Sequence, residues 1–284
     1  MLEIFSYTFF QNALLGVFFV SIASALIGTY IVTRRLVFIT GGITHACFGG
    51  LGLGYFLGIN PLLSAGVFAV ASSLGVDWMA ARQNIREDSA IAVIWAFGMA
   101  VGTLFIFLTP GYVPDLNSFL FGNILNISRE DIAAFAIFVV VLLAFFVVFY
   151  HRIVACAFDQ DFARTMQLPV TVVNCVMSVF VAICIVLTIR LIGIMLLMSL
   201  LTMPQMIAEL YVHRLKPMMA LSVVASLVSS FAGLFGSYMF GIYLVSVPAS
   251  ATIVISLILV YFISRVVVAF WNKDKLAIKQ HKNR

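Results

Sequence analysis

One histidine lies deep inside an apolar stretch, Phe38-Ile-Thr-Gly-Gly-Ile-Thr-His45-Ala-Cys-Phe-Gly-Gly-Leu-Gly-Leu-Gly-Tyr-Phe-Leu-Gly58. An imidazole is costly in such surroundings and usually faces a cavity or a partner there. Histidine is also the commonest side-chain ligand of transition metals. Gly41 and Gly49 flank His45 one turn away on either side, so its helix face is nearly bare of side chains. That leaves room for a neighbouring helix or for an ion. Two readings stay open: a histidine hydrogen-bonded to a neighbouring helix, and a ligand on an ion path. A second candidate is Met195, Met198, Thr202, Met206 and Glu209, which share one face at helical spacing. Thioethers suit soft ions such as Cu(I), but methionine is also the usual flexible gap-filler, and packing is the simpler reading. Pro204 in the same stretch is expected to kink the helix and free a carbonyl. Catalytic signatures are missing: His45, His151, His213 and His281 form no HExxH, and there is no GxxxxGK[ST] phosphate loop, so the chain cannot itself hydrolyse ATP.

The elements that position these residues must be membrane helices. Of 284 residues, 63% are apolar and 10% charged, with a mean hydropathy of +1.16. A soluble domain runs at about 45–50% apolar and about 25% charged. A water-facing surface could not be covered from this composition, which excludes soluble enzymes, nucleic-acid binders and disordered modules. The +5 net charge has a membrane explanation in its distribution. Cys47, Cys156, Cys175 and Cys184 lie in or beside apolar stretches with no paired spacing and read as buried thiols. No basic residue precedes Arg34, so a cleaved signal peptide is not expected.

A span takes about 20 mostly apolar residues. That ruler gives nine candidates: 12–32, 36–58, 61–81, 89–108, 132–150, 170–189, 191–212, 217–240 and 247–268. They are too long and too evenly apolar for barrel strands, so the fold class is an all-α integral membrane bundle of about eight to nine helices. The pair 170–212 is tight for two crossings, so one of these helices is expected to be short or broken. With the N-terminus outside and the C-terminus cytoplasmic, every basic residue except Arg129 and Arg190 falls inside, including the tail at about 269–284. Asp115, Glu130 and Asp131 then lie outside. The whole chain reads as a single transmembrane domain in a lipid bilayer, with no repeat and no soluble module.

Between the fifth and sixth spans, the cytoplasmic segment Ala155–Pro169 carries Phe158, Phe162 and Met166 at helical spacing. A short amphipathic helix is expected, either lying on lipid or docking a cytoplasmic subunit. Asp159 and Asp161 argue against adhesion to an anionic leaflet. The stripe Gly50-x3-Gly54-x3-Gly58 signals close helix packing.

Taken together, these stretches resemble the membrane permease subunit of ABC importers that move zinc, manganese or iron ions, over nearly the whole chain. The resemblance rests on Arg34-Arg35 leading to His45-Ala46, on Asp88-Ser89-Ala90-Ile91 and on Asp115 through Leu120–Leu125. It continues with Phe158-Asp159 and Ala163, and with Gly193 through Leu196-Leu197 and Leu200-Leu201 to Pro204. It implies a homodimer with the pore at its interface, and no permanently bound cofactor beyond the transported divalent ion. It also implies a cytoplasmic ATP-binding subunit, holding ATP and Mg, docked through Phe158, Asp159, Ala163 and Arg164. An extracytoplasmic metal-binding protein would dock on outer loops including Asp115 and residues 243–250. The ion would pass His45, with Met195, Met198 and Thr202 as path-lining candidates, in a multi-pass protein of the cell membrane. The family pattern has an acidic residue four positions before the histidine; here that position is Gly41. Gln167 replaces a usual glycine, and Gln205-Met206 replace small residues after Pro204. The rivals are a permease for a metal chelate, a secondary transporter, for which duplicated halves with broken helices would be expected, and an intramembrane enzyme.

Overall fold

The computed structural model describes residues 7–83, 85–110, 127–243 and 247–282, with side chains in these ranges except at 243 and beyond 271. Asp115 and the Leu120–Leu125 stretch lie outside the described residues, as does most of the tail's side-chain detail. The described chain is helical from end to end. In order, the helices are α1 (Thr8–Thr33), α2 (Val37–Leu57), α3 (Pro61–Arg82), α4 (Glu87–Leu108) and α5 (Arg129–Phe158). They are followed by α6 (Gln160–Thr165), α7 (Val170–Ile192), α8 (Ile194–Leu200), α9 (Met203–Glu209), α10 (Leu215–Tyr243) and α11 (Ala249–Lys282). Eight of these are long and apolar enough to span a bilayer.

The helix ends follow local chemistry. Pro61 opens α3 behind Asn60, whose side-chain oxygen accepts from the backbone N–H groups of Leu62 and Leu63 at 3.0 and 3.4 Å. Ser128 caps α5 by accepting from the N–H of Asp131 at 3.1 Å, and its hydroxyl donates to that carboxylate at 2.7 Å. Glu130 and Asp131 add negative charge at this N-terminus. Gly58 closes α2 in the left-handed region (φ +67°). α5 runs about two turns beyond the span expected from hydropathy, and it bends at Phe149, next to where that span ends.

The tight stretch 191–212 resolves as a broken crossing. At the end of α7, Arg190 pairs with Asp131 at 2.9 Å, which places Gly193 level with the start of α5. Glu209 and His213 share a cleft with Arg34 and Phe158 at the opposite end of the bundle. The chain therefore returns through the membrane between Gly193 and Glu209, in two seven-residue helices. At 1.5 Å per residue these sixteen positions reach only about 24 Å, short of a full hydrocarbon core of about 30 Å. The break falls at Leu201–Thr202, and Pro204 stands in the first turn of α9, where its missing N–H costs nothing. Pro204 thus opens a helix rather than kinking one. With this crossing counted, the first and last described helices begin and end at opposite ends of the bundle.

A buried glutamine holds the break. Gln205 is fully buried, and its amide donates to Ser24 O of α1 at 2.6 Å and to Leu200 O at 3.4 Å, a carbonyl at the broken turn. Gly28 of α1 makes the room: a Cβ there would overlap the Gln205 amide and the Leu201 carbonyl. One turn along the same seam, Ser226 of α10 donates to Ser21 of α1 at 2.9 Å. In lipid such polar contacts replace the water that would otherwise satisfy the backbone.

Gly28→Ala is expected to destabilise the folded chain by about 1–3 kcal/mol through overpacking. The thermal midpoint in detergent should fall, and Gln205→Ala in the same chain should recover only part of it, because the Leu201 carbonyl still blocks the added methyl.

Candidate functional site

The α2–α4 contact is built from backbone. A Cβ on Gly98 would stand 2.5 Å from Ala46 Cα, and Cβ atoms on Gly52 and Gly102 would run into the opposite helix. Gly42 receives Ile91 in the same seam. On the other side of α2, Gly50 and Gly54 admit Ser64, Ala65 and Pro61 of α3. The glycine stripe is therefore a packing device at two of its three positions, and Gly58 is a cap with open space around it. Gly98-x3-Gly102, the matching stripe on α4, is the partner that the sequence reading passed over.

This close approach sets the surroundings of His45. The imidazole lies flat on the Trp95 indole of α4, with centroids 4.6 Å apart and planes 1° apart, and Phe48 is 6.1 Å away. Its Nδ1 is buried with no hydrogen-bond partner among the described residues. The bare face is partly filled by neighbours. At Gly41 the Met198 methyl comes within 2.9 Å of where a Cβ would stand, and at Gly49 Phe68 fills the gap. The room left by a missing side chain at position 41 is thus taken up by a thioether. No group of three or more His, Cys, Asp or Glu able to hold a metal occurs among the described residues. The donors brought together here are one imidazole nitrogen and, a turn away, one methionine. Met195 and Met206 are exposed and Met198 and Thr202 half-buried, so the stripe read from the sequence survives as the outward side of the broken crossing. Thr202 donates to Met198 O at 2.9 Å across the break.

A second group forms at the end bearing most of the basic residues. The expected amphipathic helix is α6, and its residues divide sharply. Asp159 caps it, accepting from the N–H groups of Asp161 and Phe162 at 3.0 and 2.9 Å. Ala163 is fully buried against the bundle, whereas Phe158, Phe162 and Met166 are about 60% exposed. Arg164 points outward and pairs with Asp161 at 3.3 Å. Within the segment, the surface offered to a partner is thus Phe158, Phe162, Met166 and Arg164, while Asp159 and Ala163 shape and anchor the helix.

Gln167, standing where a glycine is usual, has φ +56°. The N–H of Leu168 bonds Ala163 O and that of Gln167 bonds Arg164 O, the pattern of a Schellman cap. The backbone keeps the left-handed turn although the residue is not glycine.

Above α6 lies a polar junction. The Arg34 guanidinium, 7% exposed, pairs with Glu87 of α4 at 2.9 Å and donates to the Tyr30 hydroxyl at 3.1 Å. The Gln160 amide, with its oxygen turned toward Arg34, accepts from it as well. Tyr30 in turn donates to Asn174 of α7 at 3.4 Å, and Ser178 of α7 donates to Asp77 of α3 at 2.5 Å. Burial opposes the charge on Arg34, but Tyr30, Glu87 and Asp77 more than offset it, so its pKa lies above the ordinary value. Hydropathy gives no hint of this junction, since it joins residues from separate helices, up to 144 positions apart.

Similarity to known proteins agrees with this arrangement. The model of the ABC 3 transport family matches residues 6–268. An uncharacterized membrane protein of Synechocystis is 36% identical over 264 residues, covering 93% of this chain and 92% of that one. A manganese transport system membrane protein, MntC, of Listeria monocytogenes is 27% identical over 91% of this chain and 90% of its own. Among solved structures, PsaBC from Streptococcus pneumoniae in complex with Fab superposes with a TM-score of 0.79 at 26% identity, covering 93% of each chain. An inward-facing putative metal-chelate type ABC transporter shares the fold, with a TM-score of 0.68 at 13% identity over 95% of this chain and 88% of the other.

A left-handed residue other than glycine costs roughly 1–2 kcal/mol, part of which glycine gives back as chain entropy. Gln167→Gly should therefore leave the protein as stable or raise its stability by up to about 1 kcal/mol. Gln167→Val, β-branched at positive φ, should lower the thermal midpoint.

Proposed function

The chain belongs to the ABC 3 transport family, and we propose that it is the permease subunit of an importer for a divalent transition-metal ion, zinc or manganese first and ferrous iron next. As a permease of this family it is a multi-pass membrane transport subunit and not itself a catalyst. The observation that carries the ion reading is His45: an ionisable ring in a membrane helix, held flat by Trp95, with a ring nitrogen that has no partner among the described residues. Such a group is not left facing lipid. A second copy of the chain covering the His45 and Met195–Met206 side would give the ion a path between subunits, with Met198 and Thr202 beside it.

The positive-inside distribution supports a cytoplasmic position for the Arg34 end. ATP, with Mg, would be hydrolysed by a separate cytoplasmic subunit seated on the exposed edge of α6, Phe158, Phe162, Met166 and Arg164. A metal-binding protein on the far side would deliver the ion over the outer loops, Asp115 among them. A lone imidazole with a thioether neighbour is a weak ligand set, suited to a path that must release its ion.

The test is ATP-dependent uptake by vesicles holding this chain, its ATPase and its binding protein, with zinc, manganese and ferrous iron in competition. His45→Ala should assemble normally and take up the preferred ion at least about tenfold more slowly; unchanged uptake would remove His45 from the path. Uptake of a metal chelate but of no free ion would move the substrate class to chelates. Gly41→Asp can be accommodated by rotation of Met198, whose flexible end is its nearest neighbour. The added oxygen ligand should shift competition toward manganese, which prefers oxygen donors; an unchanged ion ranking would show that position 41 does not touch the ion.

A further inference from the structure

We infer that Arg34 is the positioning residue that ties the docking helix α6 to the α4–α2 block carrying His45, a conclusion that rests on the transport reading above. α6 packs mainly on α5 and α7, whereas α4 packs on α2 and α3. α4 and α6 have no substantial face in common among the described residues. What joins them directly is the guanidinium of Arg34, which pairs with Glu87 at the first turn of α4 and donates to the Gln160 amide oxygen at the first turn of α6.

The surroundings of this tie are open. A cleft of about 910 Å³ lies on one side and one of about 490 Å³ on the other, and Glu87 and Gln160 line both. From Glu87 the route onward is rigid. Trp95 follows eight residues later on the same helix, about 12 Å along it, and lies flat on His45. α4 cannot slide independently of α2, because their backbones touch at Gly98 and Ala46 and again at Gly102 and Phe48. Movement of α6 by its ATPase thus has a direct polar route to the ring stacked on His45 through the Arg34 guanidinium, beside the packed route by way of α7 and α3.

Glu87→Gln removes the countercharge of Arg34, which is 7% exposed, but keeps an amide oxygen to accept from it, and the Tyr30 hydroxyl remains beside the guanidinium. Glu87→Gln and Arg34→Lys, which keeps the charge and loses the fork, are the variants. Both should co-purify with the ATPase, keep ATP hydrolysis within about twofold of wild type, and lose about fivefold or more in ions taken up per ATP. An unchanged ratio of uptake to hydrolysis would overturn the tie and make the junction a structural contact only.

A second measurement does not depend on the transported ion. Spin labels at Leu104→Cys in α4 and Val228→Cys in α10, both at exposed positions, report the distance between these helices in the assembled complex with and without ATP. The distance should change on ATP binding in the otherwise wild-type complex and stay fixed with Glu87→Gln. The same change in both, or none in either, would overturn the proposal. Absence of ion uptake by the wild-type complex would count against the transport reading, and the label distance would then decide the tie alone.

Discussion

Backbone-to-backbone contact between α2 and α4 is the constraint on which the rest of this molecule depends. In a bilayer, lipid tails compete with side chains on equal apolar terms, so helices gain from association chiefly where they approach closely. Gly42, Ala46 and Gly52 on one helix and Gly98 and Gly102 on the other allow that approach. α4 otherwise faces outward, with only 17% of its most apolar window buried inside the chain, whereas the corresponding figure for α2 is 78%. The seam with α2 is what fixes α4, and with it the position of Trp95 over His45.

The broken crossing follows from a second requirement of the same solvent. With no water available, carbonyls at an interrupted helix need partners inside the protein. Gln205 provides one, reaching back to Leu200 and across to Ser24, in a space that exists because position 28 is glycine. A large polar residue after Pro204 is thus matched by a small one on α1. The interruption shortens this crossing and turns Met195, Met198, Thr202 and Met206 outward, on the side where Met198 meets Gly41.

At the other end of the bundle, polarity does what close packing does in the middle. α6 is too short to hold itself by propensity; a six-residue helix persists because Asp159 caps one end, a Schellman turn closes the other and Ala163 is buried beneath it. The apolar side chains in and on either side of it, Phe162 with Phe158 and Met166, stay uncovered. In the proposed permease reading, this edge is where a separate ATP-binding subunit would sit.

Much of this architecture is written in one-dimensional patterns. Hydropathy over windows of about 20 residues located all eight full spans, because apolar length is a local property that lipid demands of each helix separately. The crowding of residues 170–212 announced a broken crossing, and the spacing of Phe158, Phe162 and Met166 announced a short helix, for the same reason. The resemblance of Arg34-Arg35, Phe158-Asp159 and the Gly193–Pro204 run to metal-importer permeases pointed to the family. What tertiary structure alone decided were pairings between distant segments: Trp95 on His45, Met198 over Gly41, Gln205 against Gly28, and Arg34 between Glu87 and Gln160. It also decided which way Ala163 faces, inward, a point on which the spacing of Phe158, Phe162 and Met166 is silent. Periodicity tells which residues share a face; it carries no information on which face of which other helix they meet, because that is settled by steric fit summed over the whole bundle.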